Sequence, residues 1–204
     1  MMEREIELDM FEDFLEIGQD TIEKCVISKN DIAIVGLSVR AGAADSAETL
    51  WSALSNGEDL TAEIPYHRAA DADAFARFLG RTPGNYVHQS YLQQIDRFSP
   101  SFFHIPPKDA ALIDPAQRLF MQTAWRALED AGISKSSLDG SDTGVFVGYT
   151  PSPESYSELL SQSDPEYADR AVSGKVNSMI ASRLSYYLNL RGPAIVSYCV
   201  PSFQ

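Results

Sequence analysis

The sequence predicts an α/β protein in which helices cover a sheet. Three observations carry this expectation. Short apolar, β-branched runs bounded by glycine or proline occur at 31–36, 143–148 and 194–200, as expected of buried strands. Helical periodicity with recognisable caps fills much of the intervening sequence. The resulting order of strand, helix, helix, strand, helix, strand belongs to the α/β class.

Residues 1–30 stand apart as an acidic leader. Nine acids oppose three bases there, so six of the thirteen excess negative charges lie on this short segment. From Glu7 to Lys24, Leu8, Phe11, Phe14, Leu15 and Ile22 fall on one helical face, which predicts an amphipathic helix. Such a helix either folds onto its own domain or docks with a partner helix.

The body, residues 31–204, opens with the run Asp31-Ile-Ala-Ile-Val-Gly36, expected as a strand. Gly36 is followed by no G-x-G-x-x-G pattern, so dinucleotide binding is not expected. A helix follows from Ser46 through Leu54, with Ser46 and Thr49 at its start and Asn56-Gly57 as its stop. Residues 58–99 carry Pro65, Pro83 and Gly84 and read as long irregular structure, with one helix expected from Asp71 to Leu79. The strongest helical pattern starts at Asp114-Pro115 and runs to about Ala131, with Gly132 as its stop. Leu119, Phe120, Thr123, Ala127 and Ala131 form its expected core stripe. Thr143 to Gly148 is a second strand, residues 152–166 an exposed excursion, Asn177 to Leu190 a third helix, and Ala194 to Val200 a third strand.

Composition narrows the function. With 44% apolar residues in 204 the chain can build a core. A formal charge of −13 without a basic patch argues against nucleic acid as partner. The sequence has no run of the roughly 18 to 20 apolar residues that crosses a bilayer, so no membrane partner and a cytoplasmic location are expected. Cys25 and Cys199 belong to no metal-ligand pattern, and His67, His88 and His104 are scattered through polar or aromatic stretches, so they read as surface or loop imidazoles.

Several segments, in order, resemble the start of polyketide-type β-ketoacyl-acyl-carrier-protein synthases. Residues Asp31 to Gly36, Trp51 to Gly57 and Ile64-Pro65 are similar to that family's "IAIVG", "LW..L..G" and "IP..R". Phe98 to Pro107 resembles "FD..FF.ISP". Ile113 to Leu119, with Trp125 and Leu128 to Gly132, resembles "MDPQQRL......WEALEDAG". Thr143 to Gly148 matches "TGVFVG", and Gly174 to Pro193 is similar to "GN..S..AGR.SY.LGL.GP". The resemblance implies the N-terminal half of a thiolase-like layered fold. It also implies an acyltransferase that takes acyl groups from the phosphopantetheine of an acyl carrier protein, binding no cofactor directly. Carrier protein is therefore an expected partner, as are a second ketosynthase half or a synthase subunit, and the intact family is usually homodimeric.

The nucleophile region departs from the family. Family members place the catalytic cysteine of "VDTACSSS" eight positions after the proline of "GP", and from Pro193 that count reaches Pro201. Cys199 is the catalytic candidate, but it stands two positions early, about 6.6 Å along a strand at ~3.3 Å per residue. It reads either as an ordinary buried thiol or as a displaced nucleophile. The two histidines that the family uses belong to its second half, and no histidine of this sequence sits in a matching motif. Tyr198-Cys199-Val200 is what codons for Asp-Thr-Ala-Cys give when read out of frame, so a frameshift or displaced exon boundary near Ser197 is one account of the departure. The expected function is the N-terminal portion of a condensing enzyme, inactive alone; the alternatives are a non-catalytic module that binds a carrier protein or synthase subunit, and a chain with no function.

Overall fold

The structure, a computed structural model, describes residues 31–150, 156, 160, 176 and 178–198. The expected leader helix, the excursion at 152–166, Asn177, Cys199, Val200 and Pro201 lie wholly or mostly outside the described residues. The chain divides into two compact units, Met1–Ala33 and Ile34–Gln204. All helices and strands among the described residues belong to the second.

Helix α1, Ala47–Asn56, forms where its caps predict it. The Ser46 side chain accepts from the Thr49 N–H at 3.2 Å and the Thr49 hydroxyl accepts from the Ser46 N–H at 3.2 Å, a closed capping box. Gly57 ends the helix in the left-handed region at φ 67°. Helix α2, Tyr66–Phe78, begins five residues before the expected Asp71, because its N-cap is Pro65, which fixes the entry backbone without a side-chain hydrogen bond. Helix α3, Pro107–Leu112, adds an element that the sequence pattern does not predict; at six residues it is too short to show a period.

Helix α4, Pro115–Asp130, starts as predicted, with the Asp114 carboxylate accepting from the Ala116 N–H at 2.7 Å and Pro115 in the first turn. Its expected core stripe is corrected. The deepest residues are Met121 and Gln117, and among the predicted five only Phe120 joins Ala124, Trp125 and Leu128 against the main core. The reason is that α4 is covered from two sides. Ala127 and Ala131 receive the backbone at Gly36, where an added Cβ would lie 2.5 Å from the Ala127 carbonyl oxygen.

That contact also explains the failure of the first expected strand. Residues 31–36 form no strand, and Ile34 is 86% exposed. The end of the run instead seats on the last turn of α4, with the Leu37 N–H donating to Asp130 Oδ2 at 2.8 Å. Strand propensity describes a fit to a pleated neighbour, and among the described residues no strand pairs with this run.

A four-residue helix α5, Lys135–Leu138, leads into strand β1, Val145–Tyr149. Helix α6, Met179–Leu188, and strand β2, Ala194–Tyr198, complete the described elements. The strands pair in parallel from Val145↔Ala194 to Tyr149↔Tyr198. Val145 and Val147 pack with Ile180, Ala181, Leu184 and Leu188 of α6 in the core. The expectation of fully buried strands is corrected too. Phe146 and Ile195 pair in register on the opposite face and are 69% and 48% exposed, because α6 covers only one side.

Among the described residues the sheet has two strands and an open apolar face, which predicts self-association. In size-exclusion chromatography with light scattering, the 204-residue chain is expected to run as concentration-dependent oligomers. The double variant Phe146→Ser, Ile195→Thr is expected to shift it toward monomer. A monodisperse wild-type monomer would contradict this.

Candidate functional site

Ligands of open parallel sheets gather at the carboxyl ends of the strands. Here those ends are Tyr149 and Tyr198, paired in register. Burial raises the pKa of the Tyr149 hydroxyl, and the negative charge of Asp114, at the start of α4, raises it further, with a contribution from Tyr198. The phenol is therefore held neutral across the physiological range. The catalytic candidate Cys199 follows Tyr198 directly in sequence; it and Pro201 lie outside the described residues.

A cleft of about 630 Å³ opens among the 103–113 segment, α4 and α6. Arg183 of α6 and Met121 of α4 line it, with Asp109 and Ile113 on one wall and His104 and Tyr187 on another. Gln117, only 2% exposed, accepts from Arg183 Nε at 3.4 Å. Burial lowers the pKa of Arg183, and the Asp109 carboxylate works against that shift. The guanidinium nevertheless remains protonated, because arginine starts so far above neutral pH. The cleft thus presents a fixed, partly desolvated cation beside a neutral amide, suited to holding a carbonyl or carboxylate oxygen. Its lining supplies no thiol.

Aromatic packing fixes one edge of this cleft. The ring of Tyr187 lies 5.1 Å from Phe103 and 6.1 Å from Trp125 between centroids, and Lys135 Nζ sits 4.0 Å from the Tyr187 centroid. The Tyr187 hydroxyl donates to the Phe102 carbonyl at 3.1 Å.

The three histidines do not come together. His67 is exposed on α2, and His88 Nε2 lies 3.9 Å from Glu63 with both side chains exposed. His104, exposed and at φ 53°, has its ring 6.1 Å from Tyr187 on the cleft wall. Among the described residues no group of three or more His, Cys, Asp or Glu could hold a metal, and no helix is long and apolar enough to cross a membrane. Sequence reasoning does not single out Gln117 and Arg183. Each lies inside a recognised motif, yet their contact joins positions far apart in the chain.

The chain is similar over residues 29–199 to the family described as beta-ketoacyl synthase, N-terminal domain. It is 36% identical over 167 residues to polyketide synthase GfsB of Streptomyces halstedii, covering 80% of this chain and 3% of that protein. It is 36% identical over 182 residues to 6-methylsalicylic acid synthase of Aspergillus terreus, covering 85% of this chain and 10% of that one. Among solved structures, the ketosynthase from module 6 of the bacillaene synthase of Bacillus subtilis 168 matches with a TM-score of 0.60 and 32% identity, over 81% of this chain and 25% of the other. The chain therefore spans a small part of the curated relatives and a quarter of that ketosynthase.

Proposed function

Since the chain belongs to the β-ketoacyl synthase family, as a copy of its N-terminal domain, we propose that it is the first portion of a polyketide-type condensing enzyme and is inactive as the isolated chain. The match over residues 29–199 supports the family part of this reading, and the proposed inactivity rests on the count from Pro193 to Pro201. In the proposed reaction a cysteine thiolate attacks the thioester of an acyl group carried on the phosphopantetheine of an acyl carrier protein, releasing the carrier thiol. A malonyl-type extender then loses carbon dioxide, and the resulting enolate attacks the enzyme-bound acyl thioester and expels the cysteine thiolate. Carrier protein is the partner in both steps. A second ketosynthase portion and a homodimer complete the assembly, with residues 1–30 as a docking segment in the cytoplasm.

Cys199 is a candidate for the nucleophile only if the count from Pro193 to Pro201 misplaces the site. A thiolate needs a lowered pKa and geometry held to fractions of an ångström, and a two-residue offset on a strand is about 6.6 Å. Intact-mass measurement after incubation with an acyl-carrier thioester tests this directly. No stoichiometric acylation of Cys199 is expected. Full acylation that is lost in Cys199→Ala would place a reactive thiolate at Cys199 and overturn the proposed inactivity of the first step.

A further inference from the structure

A second cleft, of about 320 Å³, opens where the 94–103 segment meets α4 and Arg40, within the size range of small-molecule sites, about 300–1,000 Å³. Arg40, Arg97 and Arg126 all line it. In a chain with a formal charge of −13, three arginines on one concavity stand out. Among the described residues no carboxylate lies within ion-pair distance of any of the three. Glu129 also lines the cleft, one of its oxygens accepting from the Trp125 indole N–H at 2.6 Å, so its carboxylate offsets one of the three positive charges and the lining keeps a net positive charge.

Two buried polar atoms belonging to residues of the cleft lack partners. Arg40 Nε is a buried donor without an acceptor, although Arg40 Nη2 donates to the Gln94 carbonyl at 3.1 Å and so anchors the guanidinium. Gln122 Oε1 is a buried acceptor without a donor, while Gln122 Nε2 donates to the Arg97 carbonyl at 3.0 Å. Buried polar groups of native proteins are normally satisfied, so an orphaned pair at a cleft points to something that fills it. The missing species must accept from arginine and donate to an amide oxygen. A phosphate group bearing an O–H does both, and its negative charge answers the three guanidiniums through charge-assisted hydrogen bonds. Sulfate offers the same charge and shape but no O–H at neutral pH. Water could bridge the two orphans, yet it would leave the net positive charge of the lining, three arginines against Glu129, unanswered.

We propose that the cleft walled by Arg40, Arg97 and Arg126 is a phosphate-binding site, with Gln122 accepting the phosphate O–H. This does not depend on the condensation reading. Phe102 and Trp125 line the same cleft, their rings 5.0 Å apart edge to face. They give the phosphate of an organic ester an apolar surface on which its body can rest.

Phosphorus NMR of inorganic phosphate titrated with the full 204-residue chain tests the site, with sulfate and phenyl phosphate as competitors. Saturable broadening is expected, with a dissociation constant of about 10 mM or tighter. Sulfate is expected to compete at least about fivefold more weakly, since it cannot donate to Gln122. In competition at about pH 5, where phenyl phosphate also keeps an O–H because its second pKa lies at about 6, stronger competition than by phosphate itself identifies an organic ester as the ligand; equal or weaker competition identifies the free ion. Arg97→Ala with Arg126→Ala is expected to weaken binding at least about tenfold. The same charge change at exposed Arg77 and Lys108, outside the cleft, is expected to leave it unaltered. Absence of saturation, sulfate binding as well as phosphate, or equal losses at the two pairs would overturn the proposal. The sulfate comparison on the unmodified chain decides it even if a variant fails to fold.

Discussion

Incubated with acyl- and malonyl-loaded carrier proteins in excess, the 204-residue chain is expected to form no β-keto product above the uncatalysed background. In the proposed reading, the slot that the family fills with cysteine falls on Pro201, whose side chain is no nucleophile. The family's chemistry further needs donors aimed at the developing enolate and thioester oxygen, and losing one such donor typically costs about 10²- to 10³-fold in rate. His67 and His88 are exposed on the surface, and His104 sits on a cleft wall against Tyr187, so none is placed as one of a facing pair. If the proposed reading holds and this chain supplies neither nucleophile nor donors, the combined losses bring the rate to background. Chromatography with mass detection of the β-keto thioester is the check, and its accumulation from this chain alone would refute the inactive reading.

The second large effect is on stability. Met121→Ala is expected to destabilise the fold by about 2–5 kcal/mol, because truncating a buried large side chain loses transfer free energy and leaves a cavity. Met121 is 1% exposed, at the depth of α4 between the core and the Arg183 cleft. That cost is a large share of the about 5–15 kcal/mol that holds a typical domain. Leu54→Ala, on α1 where Leu54 is 60% exposed, is the control and is expected to change stability by about 0.5 kcal/mol or less. Hydrogen exchange of the α4 amides reads the difference even where melting is not cooperative. Equal protection in both variants would show that α4 is not held by this core.

How much of the fold is legible in the sequence depends on how local each cause is. The ends of α1 and α4 can be read because Ser46, Thr49 and Asp114 act on backbone groups two or three residues away. The start of α2 cannot, because Pro65 shapes it through its ring constraint and leaves no capping pattern. The run at 31–36 carries the same apolar signature whether it pairs in a sheet or seats on a helix, and Gly36 against Ala127 decides between them only in three dimensions. The small residues Ala127 and Ala131 look like a core stripe for the same reason: they admit a passing backbone. At the site, the family is readable from ordered motifs. The Arg183–Gln117 contact and the three-arginine cleft are not, because each assembles from segments that no local period connects.

The parallel pairing of β1 with β2 also sets a schedule for synthesis. Val145 pairs in register with Ala194, forty-nine positions later, and no hairpin can shorten that wait because parallel strands need a crossover. At about 5–20 residues per second, a ribosome needs roughly 2–10 s to deliver β2 after β1. Throughout that interval Val145, Phe146 and Val147 await β2, their strand partner among the described residues. Unpaired apolar strand edges are prone to aggregate, so the pairing order sets how long this edge must wait as well as what the finished sheet contains.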